Sequence, residues 1–184
     1  MSVNSNSFSV GKRLIAALDV PSGDKAFELA KVIGSDVEMV KIGLELFCAE
    51  GPELVKTFKA KNFRIMLDLK LHDIPVTVGR ATKRVAGLGC DFLTIHSGGG
   101  LPMMKEAVDS AGEQMKVLAV TVLTSMDAED LKAVGADSQV ADVVVKRALL
   151  AKEAGCHGVV ASPKEAKIIR KAVGPDMLLS LIHI

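Results

Sequence analysis

A chain of 184 residues with 49% hydrophobic and 24% charged side chains can form one domain that buries roughly 70% of its extended-chain surface, which excludes disorder throughout. A formal net charge of +1, no Trp, no Tyr and only 6 Phe exclude a dedicated nucleic-acid binder, which needs a basic surface or stacking rings. Mean hydropathy is high at +0.33, yet no apolar run approaches the roughly 20 residues that span a bilayer, so no membrane association is expected.

Residues 1–12 are rich in Ser and Asn, lack an apolar signal-type stretch and read as a flexible tail. From there, short runs of Val, Ile and Leu alternate with amphipathic stretches. The predicted strands are Arg13–Leu18, Val37–Ile42, Phe63–Leu69, Asp91–Ile95, Val117–Leu123, His157–Ala161 and a last run from Met177. Gly51-Pro52 and Ser162-Pro163 place proline at helix first turns, the second with Ser162 as N-cap. Gly34, Gly89, Gly112, Gly155 and Gly174 stand where helices should stop. Cys48, Cys90 and Cys156 are odd in number and far apart, without a C-x-x-C, which predicts reduced thiols and a cytoplasmic location.

Strand and helix alternating at this spacing predict right-handed βαβ units in a parallel sheet buried on both faces. Of the two architectures that fit, an open doubly wound sheet wants a glycine-rich turn after the first strand, and Leu18-Asp19-Val20-Pro21 has none. Polar residues instead close strand after strand: Asp19, Lys41, Asp68 with Lys70, His96 and Thr124. A (β/α)8 TIM barrel gathers such residues at one mouth, so it is the predicted fold. It is incomplete here, with six to seven of eight strands, because a whole barrel takes about 250 residues.

The densest polar cluster runs from Asp68 to Pro75. Residues two apart on a strand share a face, so Asp68 and Lys70 should point together into the barrel. An acid and a base buried side by side are costly unless paired or used. Their plainest use is an ion pair that plugs the mouth. Two further ionisable residues from neighbouring strands, Asp19 and Lys41, favour a reactive site.

The stretch Asp68-x-Lys70-x-x-Asp73-Ile74-Pro75-x-Thr77 resembles the signature of the orotidine 5′-phosphate decarboxylase family. Ala17-Leu18-Asp19, Val40-Lys41-Ile42-Gly43 and Thr121-Val122-Leu123-Thr124-Ser125 are similar to that family in order and position. The resemblance implies conversion of orotidine 5′-monophosphate to uridine 5′-monophosphate in pyrimidine biosynthesis, with no metal and no cofactor. It implies Lys70 as proton donor to the pyrimidine, Asp68 beside the departing carboxylate, and Asp73 completing an alternating Lys41–Asp68–Lys70–Asp73 array. It further implies that Asp19 and Lys41 hold ribose hydroxyls and that Thr124 and Ser125 meet the pyrimidine edge. Asp73 and Thr77 would reach into a partner's site in a homodimer, with Ile74 counted among the substrate-binding residues.

The sequence departs from the family after the sixth strand. The family's Thr-Pro-Gly-Ile-Arg-like stretch, phosphate loop and Gly-Arg turn have no counterpart here. Residues 13–178 are therefore expected to be a partial barrel, C-terminally truncated and of bacterial type, with little or no activity. Leu179 to Ile184 can be encoded by CTG TCT CTT ATA CAC ATC, which resembles a transposase recognition end used in sequencing adapters, so 179–184 is expected to be a non-native tail.

Among weaker signals, His96-Ser97-Gly98-Gly99-Gly100 could cradle an anion but fits a flexible turn at least as well. His72 is expected to be structural, and His157 to lead plainly into the sixth strand. An alternative activity is that of a magnesium-dependent sugar-phosphate decarboxylase or aldolase of the same superfamily. Those relatives carry a metal-binding glutamate near the position of Lys41 and lack Asp-Ile-Pro. A third possibility is an inactive fragment whose charges only plug the barrel.

Overall fold

A computed structural model describes residues 13–34, 37–136 and 139–181. The expected tail at 1–12 and the last residues of the expected non-native tail lie outside them. The chain forms two compact units, Met1–Asp68 and Leu69–Ile184, and the division falls within one strand.

In the first unit, β1 (Ile15–Ala17), β2 (Met39–Gly43) and β3 (Arg64–Leu71, of which the last three residues belong to the second unit) are parallel neighbours. Three helices connect them: α1 (Gly23–Ile33), α2 (Leu44–Glu50) and α3 (Pro52–Ala60). Ser22 caps α1 by accepting from the Lys25 N–H, and Asp24 and Lys31 sit at the ends that suit the helix dipole. Pro52 opens α3, as its sequence position predicts. Phe58 is the hub of the core: it stacks on Phe27 at 4.4 Å and meets Phe63 edge-on at 5.5 Å.

In the second unit, α4 (Pro75–Ala86) follows β3, and β4 (Phe92–His96) continues through a 3-10 turn, Ser97–Gly99, into α5 (Gly100–Ala111). Then come β5 (Lys116–Val120), α6 (Ala128–Ala133), α7 (Val140–Glu153) and β6 (Gly158–Ala161). A turn at Pro163–Glu165, capped by Ser162 and Glu165, leads into α8 (Ala166–Val173), and β7 (Leu178–Leu181) follows. Strands β4 to β7 are parallel and pair in chain order. All four β6 residues are buried, the burial on both faces that parallel strands were expected to show.

The seven predicted strands are all present, with shifted ends. The fifth stops at Val120 and not at Leu123, although the Thr121 N–H still donates to the Val160 carbonyl of β6. Leu179–Leu181, expected to be a non-native tail, pair with Val159–Ala161 as part of β7. Gly158 permits this pairing: a Cβ there would stand 2.5 Å from the Leu178 carbonyl oxygen and 2.6 Å from the Leu178 Cβ. Parallel strands in sequential order, each followed by helix, belong to the (β/α)8-barrel class, carried here through seven strands.

Candidate active site

In the first unit a ladder of charge runs from solvent to interior. The Lys41 ammonium lies 2.8 Å from Asp19 Oδ1 and 3.7 Å from Asp68 Oδ2. The side chains are 67% exposed at Asp19, 15% at Lys41 and 4% at Asp68. Local structure explains the convergence. Leu18, just before Asp19, donates its N–H to the Lys41 carbonyl, holding the end of β1 beside β2. Gly43 stands opposite Asp68 in the β2–β3 register, and a Cβ there would come within 3.4 Å of Asp19 Oδ1 and 3.5 Å of Lys41 Nζ. Both are ordinary contact distances, so the glycine borders the ion pairs without being required by them.

Lys70 follows two residues after Asp68 on β3, but with a left-handed φ of 49°. Strict two-residue alternation therefore does not carry through Lys70. A non-glycine residue in that region costs on the order of 1–3 kcal/mol, and such strain collects at functional sites. Its backbone N–H donates at 2.9 Å to the hydroxyl of Thr94, a fully buried residue of β4. Asp73 is exposed and accepts from the Ile74 N–H at 2.6 Å. Ile74 and Thr77 are exposed with it, on the segment that opens α4. Thr124 and Ser125 form the exposed tip of the segment after β5, which a Met126 N–H to Leu123 carbonyl bond turns back.

Beside Lys70, the rings of His72 and His96 stack at 5.2 Å and 19°. Burial, and then the positive charges of His72, Arg147 and Lys70, hold the His96 pKa below its ordinary value. The following glycines border this pair. A Cβ on Gly98 would meet His96 Nδ1 at 3.4 Å and His72 Cε1 at 3.5 Å, and one on Gly99 would collide with Met103. The Ser97–Gly99 stretch is a 3-10 turn from β4 into α5, with Ser97 donating to the Val120 carbonyl at 2.6 Å. His157 also does more than lead into β6. Its Nδ1 accepts the Val117 N–H at 3.2 Å, and burial followed by the Lys116 charge lowers its pKa.

Thr94 and Arg147 escaped sequence reasoning. Thr94 gives no signal before its strand is placed beside β3. Arg147 does give one: it lies three and four residues from Val144 and Val143, on the buried face of α7, where a cation is out of place. Among the described residues, no group of three or more His, Cys, Asp or Glu side chains is placed to hold a metal ion, and no helix is long and apolar enough to cross a membrane.

Residues 12–181 match the model of the orotidine 5′-phosphate decarboxylase / HUMPS family. An orotidine 5′-phosphate decarboxylase from Anaeromyxobacter sp. (strain K) is 47% identical over 168 residues, covering 91% of this chain and 74% of that protein. One from Pelobacter propionicus is 45% identical over 173 residues, covering 91% and 72%. The crystal structure of orotidine 5′-phosphate decarboxylase from Lactobacillus acidophilus superimposes with a TM-score of 0.86 at 37% identity, covering 90% of this chain and 78% of that one. The chain is shorter than these relatives, but the match runs through every strand described, and it belongs to the orotidine 5′-phosphate decarboxylase / HUMPS family as an enzyme of the decarboxylase branch.

Proposed function

We propose that the chain carries the charged catalytic residues for decarboxylation of orotidine 5′-monophosphate to uridine 5′-monophosphate, with Lys70 as proton donor and no metal or organic cofactor. The observation that carries this reading is the Asp19–Lys41–Asp68 ladder, which ends on a buried carboxylate two residues before Lys70. Breaking the bond between C6 and the carboxylate releases carbon dioxide and leaves the electron pair on C6. The Lys70 ammonium stabilises that charge, gives C6 a proton and regains one from water. Asp68 sits beside the departing carboxylate, and charges held in place beforehand need little reorganisation as the reaction proceeds. Asp19 and Lys41 hold ribose hydroxyls, and Thr124 and Ser125 meet the pyrimidine edge.

Asp73 and Thr77 complete the site of a partner subunit in a homodimer. Support comes from Ile74 and Val76, apolar yet 62% and 47% exposed on the same segment. The magnesium-dependent alternative is disfavoured by Lys41, whose ammonium already occupies the place between two carboxylates that a divalent cation would take. The cytoplasm, where nucleotide synthesis has its substrates, is the proposed location.

This chain spans 74% of the Anaeromyxobacter relative. Release of labelled carbon dioxide from carboxyl-labelled substrate tests the reading. Chelator-insensitive release that disappears in Lys70→Ala supports it; release that survives Lys70→Ala refutes the proton-donor role.

A further inference from the structure

Arg147 lies among Val143, Val144, Ala148 and Ala151 on the buried face of α7, and its Nη1 donates to the Thr121 carbonyl oxygen at 2.7 Å. The same oxygen is 3.3 Å from Ser97 Oγ, which also donates to the Val120 carbonyl at 2.6 Å. On its other side, the N–H and hydroxyl of Thr121 both donate to the Val160 carbonyl of β6, each at 3.1 Å. Thr121 is fully buried. Three elements therefore hold one residue at the end of β5.

The chain then runs without regular structure to a second anchor. Asp127 Oδ1 accepts from the N–H groups of Glu129 and Asp130 at 2.9 and 3.0 Å, and Asp130 Oδ2 accepts from the Asp127 N–H at 3.1 Å. This capping box fixes the start of α6. Between the anchors lie residues 122–126, with Thr124 and Ser125 exposed at the tip. Arg147 is part-buried, and desolvating a cation even in part carries a cost that a hydrogen bond to its guanidinium must offset. Burial accordingly pulls the Arg147 pKa below its ordinary value. What a guanidinium offers is a strong charged hydrogen bond to a carbonyl that Ser97 reaches only at 3.3 Å.

We propose that Arg147 is a positioning residue, acting through the Thr121 carbonyl to hold the 122–126 segment so that Thr124 and Ser125 face a bound pyrimidine. The inference rests on the roles proposed above for Thr124 and Ser125. It assigns no contact between Arg147 and the substrate.

The test compares the full chain with Arg147→Met, which keeps the aliphatic stem, and Arg147→Lys, which restores a charged donor. Amide hydrogen exchange and titration with uridine 5′-monophosphate are read side by side. In Arg147→Met, exchange across 122–126 should accelerate by about tenfold or more while β4 and β6 keep their protection, and nucleotide affinity should weaken on the order of tenfold, the scale of one lost charged hydrogen bond. Arg147→Lys should recover part of both. Acceleration spread evenly over the second unit, or unchanged affinity despite a loosened segment, overturns the proposal in favour of a purely structural arginine. If the unaltered chain binds no nucleotide, the functional reading falls, and the exchange data alone decide whether Arg147 holds the segment.

Discussion

The Lys70 backbone donates its N–H to the Thr94 hydroxyl at 2.9 Å from a left-handed φ of 49°. A side chain on β4 thus holds the one lysine of β3 in a conformation that a lysine disfavours. Lys70→Gly removes the side chain and also the Cβ that makes this conformation costly. It should be about 1 kcal/mol more stable than Lys70→Ala by urea denaturation, although both should abolish turnover. The opposite order would mean that the backbone is not strained there. Thr94→Val, which removes the acceptor, should reduce turnover with only about 1–2 kcal/mol lost in stability.

Lys41 supplies the positive charge between Asp19 and the buried Asp68. Replacing it by Met keeps the stem but leaves a 3%-exposed carboxylate without that ammonium. A loss of about 2 kcal/mol or more is expected, against less than about 1 kcal/mol for Asp19→Asn at the solvent end. Equal losses at the two ends would show that burial does not set the strength of this ladder.

Two histidines make stability depend on pH in the same direction. Burial chiefly, with nearby positive charges, lowers the pKa of His96 and of His157 in the folded chain below the ordinary 6.5. Between those lowered values and 6.5 the unfolded chain binds protons that the folded chain does not, so stability is full above pH 6.5 and declines as the pH falls through it. His157 adds a structural reason, because protonating Nδ1 removes the acceptor for the Val117 N–H. His157→Asn, which can offer a side-chain oxygen in that place, combined with His96→Asn should flatten the decline in melting temperature between about pH 7 and pH 5. A decline as steep as in the unaltered chain would assign it to carboxylates instead.

Ile74 and Val76 stand exposed on the same short segment as Asp73 and Thr77. If this segment meets a partner subunit, Ile74→Asp introduces an unpaired charge into the contact and should shift sedimentation toward monomer. Melting of the monomer itself should change by less than about 0.5 kcal/mol, as for an exposed site. Unchanged sedimentation would remove the homodimer from the proposal.

Much of the fold was legible before any coordinates, because its signals are local. Seven apolar runs separated by capped amphipathic stretches dictate parallel βαβ units, and Pro52, Pro75 and Ser162 each stand where helices or turns begin. The clustering of Asp19, Lys41 and Asp68 was legible for a related reason, since charges at the ends of buried strands have few structural uses unless they pair.

What the sequence determined by itself is the order of elements and the chemical groups that close each strand. Only the tertiary structure decided which of those groups meet. Register set the ladder: with Gly43 opposite Asp68, the Lys41 ammonium lies within reach of both Asp19 and Asp68. Packing between β4, β5, β6 and α7 brought Ser97, Val160 and Arg147 onto Thr121, residues up to 63 positions apart (160 minus 97). Periodicity specifies which face a residue occupies, but hydrogen bonds between distant elements depend on how strands and helices settle against one another. For that reason β5 could not be seen to end at Val120, nor Arg147 to have an acceptor, until neighbouring elements were in place.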